Sequence, residues 1–176
     1  MNKISKKTGF SLLEVMVALS LLVITISSTM ALIANSFNTV TEAKNKIIAR
    51  YLAQEAIEYV RKVRDGNSFQ WPSQPNKWLQ GLDMCKGVGA KCGIDVFADN
   101  VGECGSMNGC DLTYESATGE YSHGSFPNTI FKREINIDEL QLNIEAIVKV
   151  TISWQHKEIV KSFILTEHIF NYKIIP

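Results

Sequence analysis

No charged side chain stands between Glu14 and Glu42. At about 1.5 Å per helical residue this stretch reaches roughly 40 Å, longer than the ~30 Å hydrocarbon core of a bilayer. One membrane-spanning helix is expected here, and no second run of that kind follows. Beyond Thr41 the pattern changes from uniformly apolar to amphipathic. Ile48, Leu52, Ala56, Tyr59, Val60 and Val63 recur at three- and four-residue steps, and Glu42 to Asp65 holds neither Gly nor Pro. The helix is therefore expected to continue with one apolar face, packed on the chain's own sheet. Glu58 can pair with Arg61 or Lys62 across a turn. Gly66-Asn67 is the expected stop.

The last third has a two-residue period. Ile144, Ala146, Val148, Val150, Ile152 and Trp154 fall on one face of an extended strand, and mostly polar residues fall on the other. Phe131–Ile137 precedes this strand. Ile159–Tyr172 follows it after Gln155-His156-Lys157-Glu158, so an antiparallel meander is predicted. Its apolar face needs a cover, which the amphipathic half of the helix supplies, and the fold class is α+β. The middle, Ser68 to Asn128, is rich in Gly and Pro and holds every cysteine. Trp71-Pro72 and Gln74-Pro75 break structure, while Trp78 and Leu79 anchor the segment on the core. Short strands are expected at Gly93–Phe97, Asp111–Tyr114 and Glu120–Ser122, the last two pairing across Ala117-Thr118-Gly119.

Charge sharpens the picture. The 176 residues carry 18 Lys and Arg against 18 Asp and Glu, a formal net charge of zero. A broad nucleic-acid-binding surface is not expected. With 45% hydrophobic and 20% charged residues, the chain is no disordered tail. Lys3, Lys6 and Lys7 precede the apolar run with no acid among Met1–Gly9. Positive charge stays inside, so a cytoplasmic N-terminus and an exported remainder are expected.

Cys85, Cys92, Cys104 and Cys110 follow the spacing C-x6-C-x11-C-x5-C. In an exported chain they read as two disulfides stapling a segment with little core of its own. Three pairings are open, of which Cys85–Cys92 with Cys104–Cys110 is the simplest. No C-x2-C step or nearby His supports zinc instead. Asp95, Asp99, Glu103 and Asp111, near Asn100 and Asn108, have the oxygen chemistry of a calcium site but no EF-hand order. They read as solvated loop carboxylates. His123, His156 and His168 share no spacing and read as surface or half-buried residues. No nucleophile elbow, phosphate loop, HExxH or paired-carboxylate signature appears. No enzyme, metal or cofactor is expected.

The string Gly9-Phe10-Ser11-Leu12-Leu13-Glu14 resembles the cleavage and methylation signal of type IV prepilins and type II secretion pseudopilins. The resemblance implies that a prepilin peptidase cuts between Gly9 and Phe10 and N-methylates Phe10. It implies that Glu14 is the family's acidic residue, matched in the filament to a neighbouring subunit's amine. A carboxylate in an apolar helix costs about 2.5–3.5 kcal/mol at bilayer centre and less near an end, so it needs a partner. The competing account is that Glu14 favours its own helix N-terminus through the dipole. Major pilins commonly carry Gly and Pro inside this helix. Here Thr25, Ser27, Ser28 and Thr29 are its weakest positions instead.

The helix laid on an antiparallel sheet resembles the pilin fold. Tyr51 to Asp65, and Phe131-Lys-Arg-Glu-Ile-Asn-Ile137, are similar to PilV-like pilus modification proteins and to the secretion pseudopilin I group. The expected organisation is a leader peptide at 1–9, a transmembrane and assembly helix at 10–41, and an amphipathic helix at 42–66. A Cys-containing variable region at 67–128 and the sheet at 129–176 follow. The partners implied are the prepilin peptidase, other pilin or pseudopilin subunits, and the cytoplasmic membrane before assembly. Loss of Met1–Gly9 removes three lysines and no acid, leaving a mildly acidic chain, so DNA binding is not expected. A minor pilin or pseudopilin is the resulting expectation. A secretion or DNA-uptake pseudopilin and an uncut single-pass membrane protein are the alternatives.

Overall fold

The computed structural model describes residues 9, 11–156 and 158–172, without the side chains of Ala31, Ala34 and Asn108. The chain divides into two compact units, Met1–Lys44 and Asn45–Pro176. One helix, α1 (Leu12–Gln70), contributes to both.

In the first unit α1 leaves its large apolar side chains exposed, among them Leu12, Leu13, Met16, Leu21, Ile24, Met30 and Leu32. An 18-residue window has a mean hydropathy of 2.3, so the helix is long and apolar enough to cross a membrane. The positions of weakest propensity are helical too. Thr25, Ser27, Ser28 and Thr29 donate their hydroxyls to the carbonyls of Leu22, Val23, Thr25 and Ile26 at 2.8–2.9 Å. A hydroxyl bonded back to its own helix needs no water, which suits it to hydrocarbon.

In the second unit the later part of α1 meets an antiparallel sheet. Its strands are β1 (Cys92–Asp95), β2 (Asn100–Glu103), β3 (Asp111–Glu115), β4 (Glu120–Ser122), β5 (Asn128–Gln141), β6 (Glu145–His156) and β7 (Ile159–Phe170). The meander β5–β6–β7 is its frame. Pairing runs from Phe131↔Trp154 to Gln141↔Glu145 and from Glu145↔Phe170 to His156↔Ile159. Asn143, at φ 60, makes the first turn, a left-handed position that Asn tolerates. At 14 residues, β5 is long enough to take two short partners on its other edge: β3 at Asp111↔Lys132 and Thr113↔Asn128, and β1 at Cys92↔Ile135. β1 and β3 pair in turn with β2 and β4.

The core lies between α1 and the meander. Ala49, Leu52, Ala53, Ala56, Ile57, Tyr59 and Val60 face Phe131, Ile135, Ile137, Ala146, Val148, Val150, Ile152, Trp154 and Ile169, all buried. Small side chains at 49, 53 and 56, one turn apart, let the helix backbone come close to the sheet. Trp78, Leu79 and Leu82 are also buried, as the anchoring role expected of this segment requires.

Three local expectations need correction. α1 does not stop at Gly66-Asn67 but runs to Gln70. A helical Gly costs only about 1 kcal/mol. The last turn is tethered, because the Asn67 side chain donates to the carbonyls of Trp78 (3.2 Å) and Gln80 (2.9 Å). The effective stop is Pro72, which disfavours helical geometry at Trp71. The second correction is Asn100–Glu103, which carries no alternation and was not expected to be a strand. It is recruited as β2 by hairpin pairing with β1, Cys92↔Glu103 to Asp95↔Asn100. Third, Asp95 is no solvated loop carboxylate. It is 6% exposed, and its hydrogen bonds are given below.

Candidate functional site

At the start of the chain, Gly9 is exposed, and nothing described lies within 4 Å of where a Cβ would stand. Among the described residues nothing demands a glycine there. Phe10, the expected methylation position, and Lys3, Lys6 and Lys7 lie outside the described residues. Ser11 precedes the first helical residue, and its carbonyl accepts from the amides of Glu14 (3.0 Å) and Val15 (3.2 Å). Glu14 is thereby set in the first turn of α1, three residues after a hydroxyl residue. That is the spacing in which a carboxylate serves unbonded amides and favours the positive end of the helix dipole. Glu14 is exposed, with no salt bridge among the described residues. It stands at the end of a helix whose neighbouring side chains are apolar and uncovered.

The cysteines form two disulfides, Cys85–Cys92 and Cys104–Cys110. The first ties a 3-10 turn (Asp83–Cys85) to the start of β1. The second closes the loop after β2. Met107 packs against the β1–β2 hairpin: a Cβ at Gly93 would meet its Sδ at 3.0 Å and one at Gly102 would meet it at 2.9 Å. These two glycines face each other in the β1–β2 pairing. The hairpin is thus glycine-lined where the thioether packs.

The acidic residues of this region do not converge. Asp95 Oδ1 accepts from the amides of Phe97 (3.1 Å) and Ala98 (2.9 Å), and Oδ2 from the amide of His123 (2.9 Å). Asp95 shapes the β1–β2 turn and fastens it to the end of β4. Asp99 pairs with Lys62 at 2.9 Å. Burial, then the Asp99 carboxylate, push the Tyr59 hydroxyl up to about 12. Among the described residues no three His, Cys, Asp or Glu side chains are grouped to hold a metal ion. His168 bonds Glu145 at 2.7 Å on the outer surface. Burial, and then the nearby Arg133, pull the pKa of half-buried His123 below its usual value.

One charged group of the core carries no motif in the sequence. Arg133 is completely buried on the helix-facing side of β5. Its Nη1 donates to Glu55 Oε2 at 2.6 Å and to the Leu52 carbonyl at 3.3 Å, and its Nη2 donates to the Ile94 carbonyl at 2.6 Å. One guanidinium thus joins α1, β1 and β5. Burial pulls its pKa down, while Glu55 opposes that most strongly. The signal was present: Phe131, Arg133, Ile135 and Ile137 alternate on one face, so the strand period places an arginine among core residues.

Residues 4–34 match the family model of the prokaryotic N-terminal methylation motif. No curated protein and no solved structure matches the chain. The chain carries a prepilin-type N-terminus, consistent with the type IV pilin and pseudopilin family, whose members are structural rather than enzymatic. Its long N-terminal helix followed by an antiparallel sheet is the α+β layout of a pilin. The motif implies processing by prepilin peptidase and assembly with other pilin-type subunits. With the apolar helix, it is consistent with anchoring in the inner membrane.

Proposed function

We propose that this chain is a minor subunit of a type IV pilus-like filament. It is inserted with its N-terminus in the cytoplasm, cut between Gly9 and Phe10, and N-methylated on Phe10. The observation that carries the reading is the methylation-motif match over residues 4–34. The cut leaves an amine on Phe10 and a carboxylate on Glu14, both at the end of an apolar helix. In a bundle of such helices, the amine of one subunit is the natural counter-charge for Glu14 of the next. Either charge alone in hydrocarbon is costly. Residues 10–41 act as the assembly helix, and the disulfide-stapled region and sheet face outward from the filament.

The similarity of Tyr51–Asp65 and Phe131–Ile137 to PilV-like proteins favours a pilus. The same segments also resemble the secretion pseudopilin I group, which makes a secretion pseudopilin the second reading. Mass spectrometry of the N-terminal peptide, from membranes and from sheared filaments, tests the proposal. An N-methyl-Phe10 terminus in both fractions, scarce in the sheared one, is expected. An intact Met1 in cells with active prepilin peptidase overturns it in favour of an uncut membrane anchor.

A further inference from the structure

Between the end of β3 and the start of β5 lies an open cavity of about 450 Å³. Two half-exposed aromatic rings line it, Tyr114 at 40% and Phe126 at 41%. Tyr121 backs Tyr114, with ring centroids 5.0 Å apart. The polar lining includes the Glu115 carboxylate and the Ser116 hydroxyl and holds no Lys or Arg. Glu115 Oε2 accepts from the Thr118 hydroxyl at 3.2 Å. Directly opposite Glu115 in the β3–β4 pairing stands Glu120, half-buried, whose Oε2 is buried and bonds nothing described. Among the described residues neither carboxylate is paired with a base. Opposed side chains on paired strands lie about 4.5–5.5 Å apart at Cβ, and like charges there destabilise the pairing. A buried polar atom without a partner adds to that cost.

We propose that this cavity binds a small quaternary ammonium cation, set against the Tyr114 and Phe126 rings with the Glu115–Glu120 pair as its counter-charge. Charge decides the sign of the ligand. An anion would meet two carboxylates and no base, and a neutral polyol would leave the opposed pair uncompensated. A metal ion does not fit, because among the described residues no three His, Cys, Asp or Glu side chains are grouped to hold one. The aromatic lining then decides the kind of cation. Ring faces carry negative charge and attract a cation within about 6 Å of the centroid, most strongly when it sheds its water. A quaternary ammonium sheds water easily and offers methyl groups to the rings. It donates no hydrogen bond, so Glu115 acts on it by charge alone and keeps its bond from Thr118. The cavity is also of the size that holds small molecules, roughly 300–1,000 Å³.

The test titrates choline into the full-length chain in a maltoside detergent, followed by calorimetry and by the broadening of the choline methyl resonance. Saturable binding is expected. The neutral isostere dimethylbutanol, of the same shape without the charge, is expected not to bind. Tyr114→Ala and Glu115→Gln are each expected to weaken choline binding roughly fivefold, and Tyr114→Phe, which keeps the ring, to preserve it. Glu115→Gln is also expected not to lower the melting temperature, because it relieves the like-charge contact with Glu120. A merely structural Glu115 would lose stability along with binding. The amide of N-acetyl-lysine, whose ammonium holds its water more firmly, is expected to bind more weakly than choline. No binding of choline, equal binding of the isostere, unchanged affinity in Tyr114→Ala and Glu115→Gln, or tighter binding of the lysine derivative would overturn the proposal. None of these readings depends on whether Met1–Gly9 has been removed, so the outcome is separate from that of the processing test.

Discussion

Replacing Glu55 with alanine probes a fully buried cation of the core. Arg133 is 0% exposed, and among the described residues Glu55 is the carboxylate paired with it, at 2.6 Å, with Asp95 adding a further attraction. Without it the guanidinium keeps two carbonyl acceptors, those of Leu52 and Ile94, and loses its paired counter-charge, with Asp95 left to attract it. Breaking a buried ion pair on one side typically costs about 3–5 kcal/mol. The Glu55 side chain is 39% exposed, so solvent reaches the vacated position and the expected loss sits at the lower limit, about 3 kcal/mol. With a urea dependence of about 1.5 kcal/mol per molar, the unfolding midpoint should fall by about 2 M. The assay is urea unfolding of the full chain in detergent, followed by tryptophan fluorescence. Trp78 and Trp154, 2% and 4% exposed, report on this core. Exchanging both partners, Glu55→Leu with Arg133→Met, removes the charge as well as its partner. That pair should lie within about 1 kcal/mol of the native protein. A loss below about 0.5 kcal/mol for Glu55→Ala, or a double variant weaker than the single one, would refute the reasoning.

Three further outcomes are expected. Because burial holds the His123 pKa below 6.5, the unfolded chain takes up that proton first. The stability His123 contributes as a neutral ring is present above pH ~6.5 and is lost as pH falls towards its folded pKa. Urea midpoints measured downward from pH 7.5 should decline, and His123→Gln should flatten that decline. Gly93→Ala should destabilise by about 1–2 kcal/mol and by more than Gly102→Ala. At Gly93 the new Cβ meets Cys110 Sγ, held in a disulfide, besides Met107, whereas at Gly102 the nearest atoms belong to Met107. Calorimetry giving the opposite order would count against the packing described. Replacing Cys85 and Cys92 together by serine should cost about 2.4 kcal/mol, from a loop closed over a separation of 7 residues. A melting temperature unchanged from the native protein would contradict it.

Much of this protein is written in local pattern. The uncharged run from Val15 to Thr41 demands an apolar environment whatever else the chain does, and Gly9 to Glu14 is a contiguous signal read by residue type. The helix stripe from Ile48 to Val63 and the alternation from Ala146 to Trp154 are periodicities, legible because burial of one face repeats with the geometry of each element. Tertiary structure decided what periodicity does not encode. Pairing with β1 makes a strand of Asn100–Glu103. The tether from Asn67 to Trp78 and Gln80 carries the helix past Gly66. The choice among three disulfide pairings fell to the folded loop, which brings the 3-10 turn Asp83–Cys85 to the start of β1 and Cys104 to Cys110. Arg133 is the sharpest case. Its place in the alternation was visible, but a buried guanidinium is tolerable only where Glu55, Leu52 and Ile94, distant in sequence, converge on it. Periodicity assigns a residue to a face; only the folded chain supplies the partners that make burial of a charge affordable.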